Sequence, residues 1–301
     1  HLLSACFGLS HGDVRVQVPH VGGGFGGKAG VNLEPITVAL AMRAGCRWVK
    51  LEATREEEFY AVVVRQGLTA TLVTGVDREG KVQAQKMEYL WDCGAYGGYG
   101  VNIVRAAGYT CGGAYEFPNV WGDSIGVYTN RPVGSAYRGF GMQEIHWALE
   151  QQMDRVAETI GMDPIEFRLK NCLGPGKSTV TGQVLDEHAG RVDACIEKVA
   201  GELGPRDELT APYRGRGLAC AVKAPAMPND AASSVLLKFC EDATLEVLVS
   251  GTDIGQGLRT VSAQFAAEAL NLPVELVRVR NEPDTDLSPY DWQTVASRQT
   301  W

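Results

Sequence analysis

A strand, a glycine-rich turn and a helix occur in that order twice in this chain, and the recurrence constrains its fold more than any other feature. In the first instance residues 14–18 (Val-Arg-Val-Gln-Val) alternate as a strand does, His20-Val-Gly-Gly-Gly-Phe-Gly-Gly-Lys28 follows, and apolar residues return at helical spacing over 34–44. In the second, a strand over 244–249 runs into Ser250-Gly-Thr-Asp-Ile-Gly-Gln-Gly257 and then into a helix over 260–270. Glycine has no Cβ, so its amide reaches conformations and distances closed to other residues. The 20–28 loop therefore either points amide donors at an anion or a polar ring or is a tight turn without a ligand. It is not the dinucleotide fingerprint, because Phe25 and Lys28 occupy the interior, nor a Walker loop, because Ala29 follows Lys28.

A chain of 301 residues is long enough for two domains. Its hydrophobic content of 45% and charged content of 21% are those of a globular protein, and no apolar run approaches the roughly 20 residues that span a bilayer. A net charge of -8 argues against a nucleic-acid footprint, which needs a basic face. These features predict a soluble cytoplasmic protein with neither membrane nor nucleic acid as a partner. The eight cysteines form no Cys-x-x-Cys pair and read as buried, reduced thiols; the five histidines show no metal-ligand spacing. The first segment has no basic leading region and no Met, so the chain is expected to begin inside a longer gene product or to have been trimmed.

Taken in order, residues 2–9 read as the tail of a helix, 48–54 as a buried strand, and 54–58 as an acidic turn capped by Thr54. Residues 68–76 and 82–91, joined by Asp77-Arg-Glu-Gly80, predict an antiparallel hairpin. The glycines of 92–100 predict an irregular loop, and strand character returns over 119–130. Met142, Ile145, Leu149, Met153, Val156 and Ile160 recur at helical spacing and define a long amphipathic helix, ended by Gly161 and Pro164. Residues 173–179 read as a linker. A helix over 192–203, a basic turn at 214–217, and strands over 218–222, 234–239 and 274–280 complete the second half, before an acidic loop at 282–286.

Three glycine-rich elements, Gly22-Gly-Gly-Phe-Gly-Gly-Lys28, Ala136-Tyr-Arg-Gly-Phe-Gly141 and Gly251-Thr-Asp-Ile-Gly-Gln-Gly257, precede Ser297-Arg-Gln-Thr300. Together with Thr54-Arg-Glu-Glu-Glu-Phe59, Asp92-Cys-Gly-Ala-Tyr96, Tyr128-Thr-Asn130 and Met162-Asp-Pro-Ile-Glu-Phe-Arg-Leu-Lys-Asn171, this order closely resembles the molybdopterin-binding subunit of the xanthine dehydrogenase and aldehyde oxidase family. The resemblance covers essentially the whole chain. It implies an α+β fold of two lobes of mixed sheet and helices, truncated at both ends. The first cofactor-binding domain would lie at 1–172, a linker and helix at 173–213, and the second domain at 214–301. It also implies a fragment or a split subunit of the nicotinate dehydrogenase kind.

By the same resemblance, Gly24, Phe25, Gly26, Ala136, Arg138, Gly255, Gln256, Ser297, Gln299 and Thr300 bind molybdopterin, with or without a cytosine nucleotide. Phe25, Gly26 and Arg138 would flank the molybdenum without ligating it, and Phe25, Ala29 and Phe140 would line the substrate pocket. The chemistry of these residues agrees: glycine amides and a helix N-terminus at 257–260 suit a phosphate, and Arg138 can hold an anion bidentately. On the residues alone, Phe25 and Phe140 are ordinary core side chains.

Family members hydroxylate an electron-poor carbon with oxygen from water and pass electrons through iron–sulfur and FAD centres. Those centres are expected here on partner subunits or domains, beside a completing molybdopterin-binding segment. The family's catalytic Glu lies beyond Trp301, so no carboxylate of this chain is given the catalytic base role and the chain alone is expected to be inactive. Ala29 stands where purine-oxidising members have a Glu, which leaves N-heteroaromatics and aldehydes as substrates. Gly139 stands where carbon monoxide dehydrogenases have a Cys. The alternative from another class is a non-catalytic fragment that binds cofactor or partner without turnover.

Overall fold

The computed structural model describes residues 1–204, 212–223, 231–280 and 283–299. Helices α1 (Leu2–Phe7) and α2 (Glu34–Arg43) come first, then strands β1 (Gly67–Val76) and β2 (Val82–Asp92), helix α3 (Gly100–Tyr109) and strand β3 (Val120–Val127). Helices α4 (Met142–Thr159), α5 (Pro164–Asn171) and α6 (Val192–Leu203) follow, then β4 (Leu236–Phe239), β5 (Leu245–Leu248), α7 (Leu258–Leu270) and β6 (Val277–Arg280). The mixture is α+β, as expected. Contacts gather the chain into two compact units, residues 63–224 and residues 1–62 with 225–301. The units are not contiguous in sequence, and Leu173 and Ile196 are buried within the 63–224 unit.

In that unit the predicted hairpin forms, β1 pairing antiparallel with β2. Gly75 pairs with Ala84 but Val76 with Val82, so Gln83 is one residue too many on β2. This bulge resets the alternation, and Val82, Gln85, Met87, Tyr89 and Trp91 all point inward. β3 joins β2 in parallel, which requires a crossover, and α3 supplies it. The 92–100 loop therefore leads into a helix that the sequence reading missed. Ile103, Ala106 and Ala107 face the core, while Val101 and Tyr109 stay exposed and blur the periodicity. The α4 stripe is buried as expected and packs into two clusters, one with Met87, Trp91 and Ile103, the other with Tyr115, Phe117 and Phe167.

The turn expected at Pro164 is in fact helix α5. Asp163 caps it by accepting from the amides of Ile165 and Glu166 at 2.8 and 3.2 Å, and Pro164 opens it. Its Arg168 is fully buried. Arg168 Nε donates to Glu150 Oε2 at 2.9 Å, and one terminal nitrogen donates to Asp154 Oδ1 at 2.7 Å. Glu150 also accepts from the Tyr115 hydroxyl at 2.6 Å and from the Cys220 amide at 2.9 Å. This cluster holds residue 220 in place without a strand, and the strand expected at 218–222 does not form.

The other unit repeats the topology on a smaller scale: β4 and β5 are antiparallel, and α7 carries the chain across to β6, parallel to β5. Leu245, Val247, Val249, Ala267 and Val277 form its core. The strand expected at 14–18 is reduced to one bridge, Gln17 with Asp284. Val18 N donates to Pro283 O at 2.8 Å and Thr285 N to Val16 O at 3.1 Å, and Arg15 Nε and Gln17 Nε2 donate to the Asp284 carboxylate at 3.0 and 2.8 Å, so a single bridge and side chains together fix this segment. No strand forms at 48–54, where Trp48 is fully exposed. Of the cysteines, Cys93, Cys111, Cys172 and Cys220 are buried as expected, but Cys6, Cys46 and Cys195 are exposed.

Candidate functional site

The 22–28 loop is closed by its own hydrogen bonds: Gly27 N to Gly24 O at 2.9 Å, Ala29 N to Gly26 O at 3.0 Å, and Lys28 Nζ to Gly23 O at 2.8 Å. Phe25 sits in the left-handed region at φ 52° and Gly26 follows at φ 100°. This turn pushes the Phe25 ring outward, 55% exposed, so the residue is not core packing. The 251–257 loop lies in the same unit. A β-carbon on Gly24 would come within 3.8 Å of Ile254 Cδ1, and one on Gly251 would come within 2.8 Å of Gln299 Oε1. The structure thus brings Gly24, Phe25, Gly26, Gly255, Gln256 and Gln299 into one unit, where the sequence had assigned the first three and the last three to different lobes.

Gln256 turns its side chain back on its own loop, donating to Thr252 O at 3.0 Å and accepting from the Ile254 amide at 2.7 Å. Ser297 is exposed at φ 61°. Between Ser297 and Gln299 the sequence reading passed over Arg298, which is buried, donates to Gln293 O at 3.0 Å and pairs with Asp291. Asp291 also accepts from Gln299 Nε2. Arg298 thus ties together residues 291–299. Thr300 lies outside the described residues.

The third loop is in the 63–224 unit. Ala136 is buried, the Arg138 side chain is exposed, and residues 139–141 all have positive φ, 100°, 57° and 89°. Phe140 meets Tyr99 edge to face at 6.2 Å and packs partly buried against the core. Gly139 lies under Gln143, whose Oε1 would be 1.2 Å from a β-carbon there. Arg65, another residue without a sequence signal, donates to the Arg138 carbonyl at 2.7 Å and to Glu144 Oε1 at 2.8 Å.

The glycines test whether these residues suit a pterin. A β-carbon at Gly22, Gly255 or Gly257 would meet nothing within 4 Å, so both loops present bare backbone to open space. That suits a polar ring. The α7 N-terminus does not suit a phosphate as expected, because the chain's own Asp253 stands there, accepting from the Gly255 amide at 3.0 Å and from the Arg259 amide at 3.3 Å. Those amides hold its carboxyl below the usual aspartate range. An aspartate just before a helix was the available signal.

Two glycine loops thus lie against each other in one unit with part of their backbone open. The chain belongs to the molybdopterin cofactor-binding domain family, whose model matches residues 1–172 and whose second such model matches 198–301. It is 33% identical over 96% of its length to the xanthine dehydrogenase molybdenum-binding subunit of Escherichia coli O157:H7, covering 39% of that protein. It is 36% identical over 63% of its length to the nicotinate dehydrogenase large molybdopterin subunit of Eubacterium barkeri, covering 44% of it. The crystal structure of quinoline 2-oxidoreductase from Pseudomonas putida 86 superposes with a TM-score of 0.86 at 26% identity, over 99% of this chain and 41% of that one. The chain therefore spans 39% to 44% of the length of these relatives. Among the described residues no helix is long and apolar enough to cross a membrane.

Proposed function

We propose that this chain is the cofactor-holding portion of a molybdenum hydroxylase that oxidises an N-heteroaromatic or an aldehyde. The observation that carries the reading is the packing of the Gly24 loop and of Gln299 against the 251–257 loop, which gathers three of the resembling motifs in one unit. Bound molybdopterin supplies two-electron oxidation of a carbon with oxygen from water. The chain's residues bind and orient. Amides of Gly24 and Gly26 would donate to the pterin, with Gly255, whose own amide is held by Asp253, and Gln256, Ser297, Gln299 and Thr300 around it. The outward Phe25 ring, with Ala29, forms an apolar wall that excludes water from the substrate. Ala136 and Phe140 shape the third loop, and the exposed Arg138 guanidinium offers paired donors to an anionic oxygen.

Iron–sulfur and FAD partners would receive the electrons, and a completing segment would bring the base. Eight free thiols, three of them exposed, suit the reducing cytoplasm. Molybdenum analysis and a dye-linked oxidation assay, on the chain alone and then with the completing segment, test the reading. Turnover is expected only after completion. Activity of the chain alone would show that the base is present in it, and absence of molybdenum from the completed enzyme would overturn the proposal.

A further inference from the structure

The loop that carries Ala136 and Arg138 is gripped by a residue that belongs to none of the motifs. We propose that Arg65 is a positioning residue, holding the 136–141 loop in the conformation required at the molybdenum site through the Arg138 carbonyl, the Tyr137 ring and Glu144. The proposal rests on the assignment of that loop to the cofactor made above.

The placement begins in the backbone. Val64 bridges Gly134 in parallel, with Val64 N donating to Val133 O and Ser135 N to Val64 O, both at 2.9 Å. This sets Arg65 beside the residues that follow Ser135. One terminal guanidinium nitrogen then donates to the Arg138 carbonyl at 2.7 Å, the other to Glu144 Oε1 at 2.8 Å, and the guanidinium carbon lies 4.5 Å from the Tyr137 ring centre. Edge and face of one planar group are both used. A lysine, a point charge on a flexible stem, cannot reproduce a two-pronged bridge and a stacked face together.

The contacts bracket the part of the loop that needs bracketing. Tyr137 and Arg138 lie before residues 139–141, and Glu144 lies in the first turn of α4 after them. Three consecutive residues at positive φ, one of them a phenylalanine, persist only when the surroundings over-determine them. Tyr99 supports Phe140 through the ring contact, and Arg65 ties the two ends of the turn together. Because Arg65 holds the Arg138 main chain and leaves its side chain exposed, it sets where that guanidinium can reach without touching the cofactor itself. The Arg65 side chain is 32% exposed but that of its partner Glu144 only 12%, so a neutral residue at 65 also leaves a largely buried carboxylate unpaired, whereas lysine keeps the charge and loses the bridge geometry.

The test compares Arg65→Lys and Arg65→Gln in the completed enzyme, with Arg155→Gln, from the same α4 surface, as control. Amide hydrogen exchange over 136–141 is measured after the cofactor is stripped, and the Mo(V) EPR signal is recorded in the loaded enzyme. Both Arg65 variants should exchange about tenfold to a hundredfold faster in the loop, the range set by loss of a charge-assisted hydrogen bond. Their EPR signal should change, the thermal midpoint should stay near wild type in Arg65→Lys and fall in Arg65→Gln, where Glu144 loses its charge partner, and the control should match wild type throughout. Unchanged loop exchange in the Lys and Gln variants overturns the proposal. Faster exchange with an unaltered EPR signal upholds the clamp and instead refutes the placement of this loop at the metal.

Discussion

Replacing Arg168 with Met should be among the most damaging single changes in the 63–224 unit. The arginine side chain is fully buried, and its partner Glu150 has a side chain only 8% exposed. Burial works against the guanidinium charge, but Tyr115, Glu150 and Asp154 outweigh it and hold its pKa above the ordinary arginine value. Burial, reinforced by Glu150, likewise pushes the Tyr115 hydroxyl up, so it stays protonated and donates. Methionine fills similar space but leaves the Glu150 carboxylate buried with two neutral donors, the Tyr115 hydroxyl and the Cys220 amide. Removing one partner of a buried pair costs roughly 3–5 kcal/mol; the half-exposed Asp154 adds at most about 1 kcal/mol.

If the cost is that of an uncompensated charge, a second change should relieve it. Glu150→Gln in the Arg168→Met background removes the charge, although its single acceptor oxygen cannot serve both donors, so about 1–2 kcal/mol should return. Urea unfolding followed by fluorescence, with the fully buried Trp91 in the same unit as a reporter, measures both differences. A loss below about 1 kcal/mol for Arg168→Met, or a double variant no more stable than the single one, would refute the reasoning.

Arg138→Ala should lower activity or cofactor affinity of the completed enzyme about tenfold to a hundredfold, the effect of losing a charge-assisted contact, while the thermal midpoint is unchanged; wild-type turnover would remove Arg138 from the site. Asp253→Ala should cost the helix about 1 kcal/mol, measured by urea unfolding. The Asp253 contribution has a definite pH window: the Gly255 amide depresses its folded pKa, so stabilisation is complete above the ordinary aspartate pKa and is lost as pH falls through the folded value. The alanine variant should therefore lose less stability than wild type on acidification. With a thiol reagent, Cys6, Cys46 and Cys195 should react in the native chain, whereas Cys93, Cys111, Cys172 and Cys220 should react only on unfolding; burial pushes the Cys111 and Cys220 thiols up to about 11.

What the sequence shows clearly here is local. The β1–β2 alternation and the α4 stripe follow from side-chain period alone, and both form where expected. Residues 14–18 have the same alternation as β1 but pair through one bridge only, to Asp284, more than 260 positions away, which also holds Arg15 and Gln17. Helix α5 was hidden by Pro164, read as the start of a short turn when it occupies the first helical position behind an Asp163 cap. The resemblance of 162–171 to the family has a structural reading here: Asp163 starts the helix, Arg168 joins the buried cluster, and Asn171 is buried with its amide donating to Gly80 O at 2.9 Å. The glycine loops could be located in sequence and the resemblance assigned them to one cofactor, but local pattern alone did not group them. That grouping depends on residues 1–62 joining residues 225–301, a pairing that no local pattern encodes.

The two sheets show why glycine content alone does not mark a binding loop. In each unit an antiparallel pair is followed by a glycine loop, a crossover helix and a parallel third strand, so the loops at 93–100 and 250–257 occupy equivalent places. Their surroundings differ. A β-carbon on Gly94 would fall 2.1 Å from Pro132 O, and the loop bonds across to the next segment through Gly134 N to Cys93 O at 2.9 Å and Ala95 N to Arg131 O at 3.0 Å. Its glycines serve close backbone approach, and the segment they support leads directly into Ala136 and Arg138. At Gly255 and Gly257 the same test finds no atom within 4 Å. One loop is spent as a shelf beneath the arginine loop, while the other keeps its backbone open. The distinction depends on what lies opposite the missing side chain.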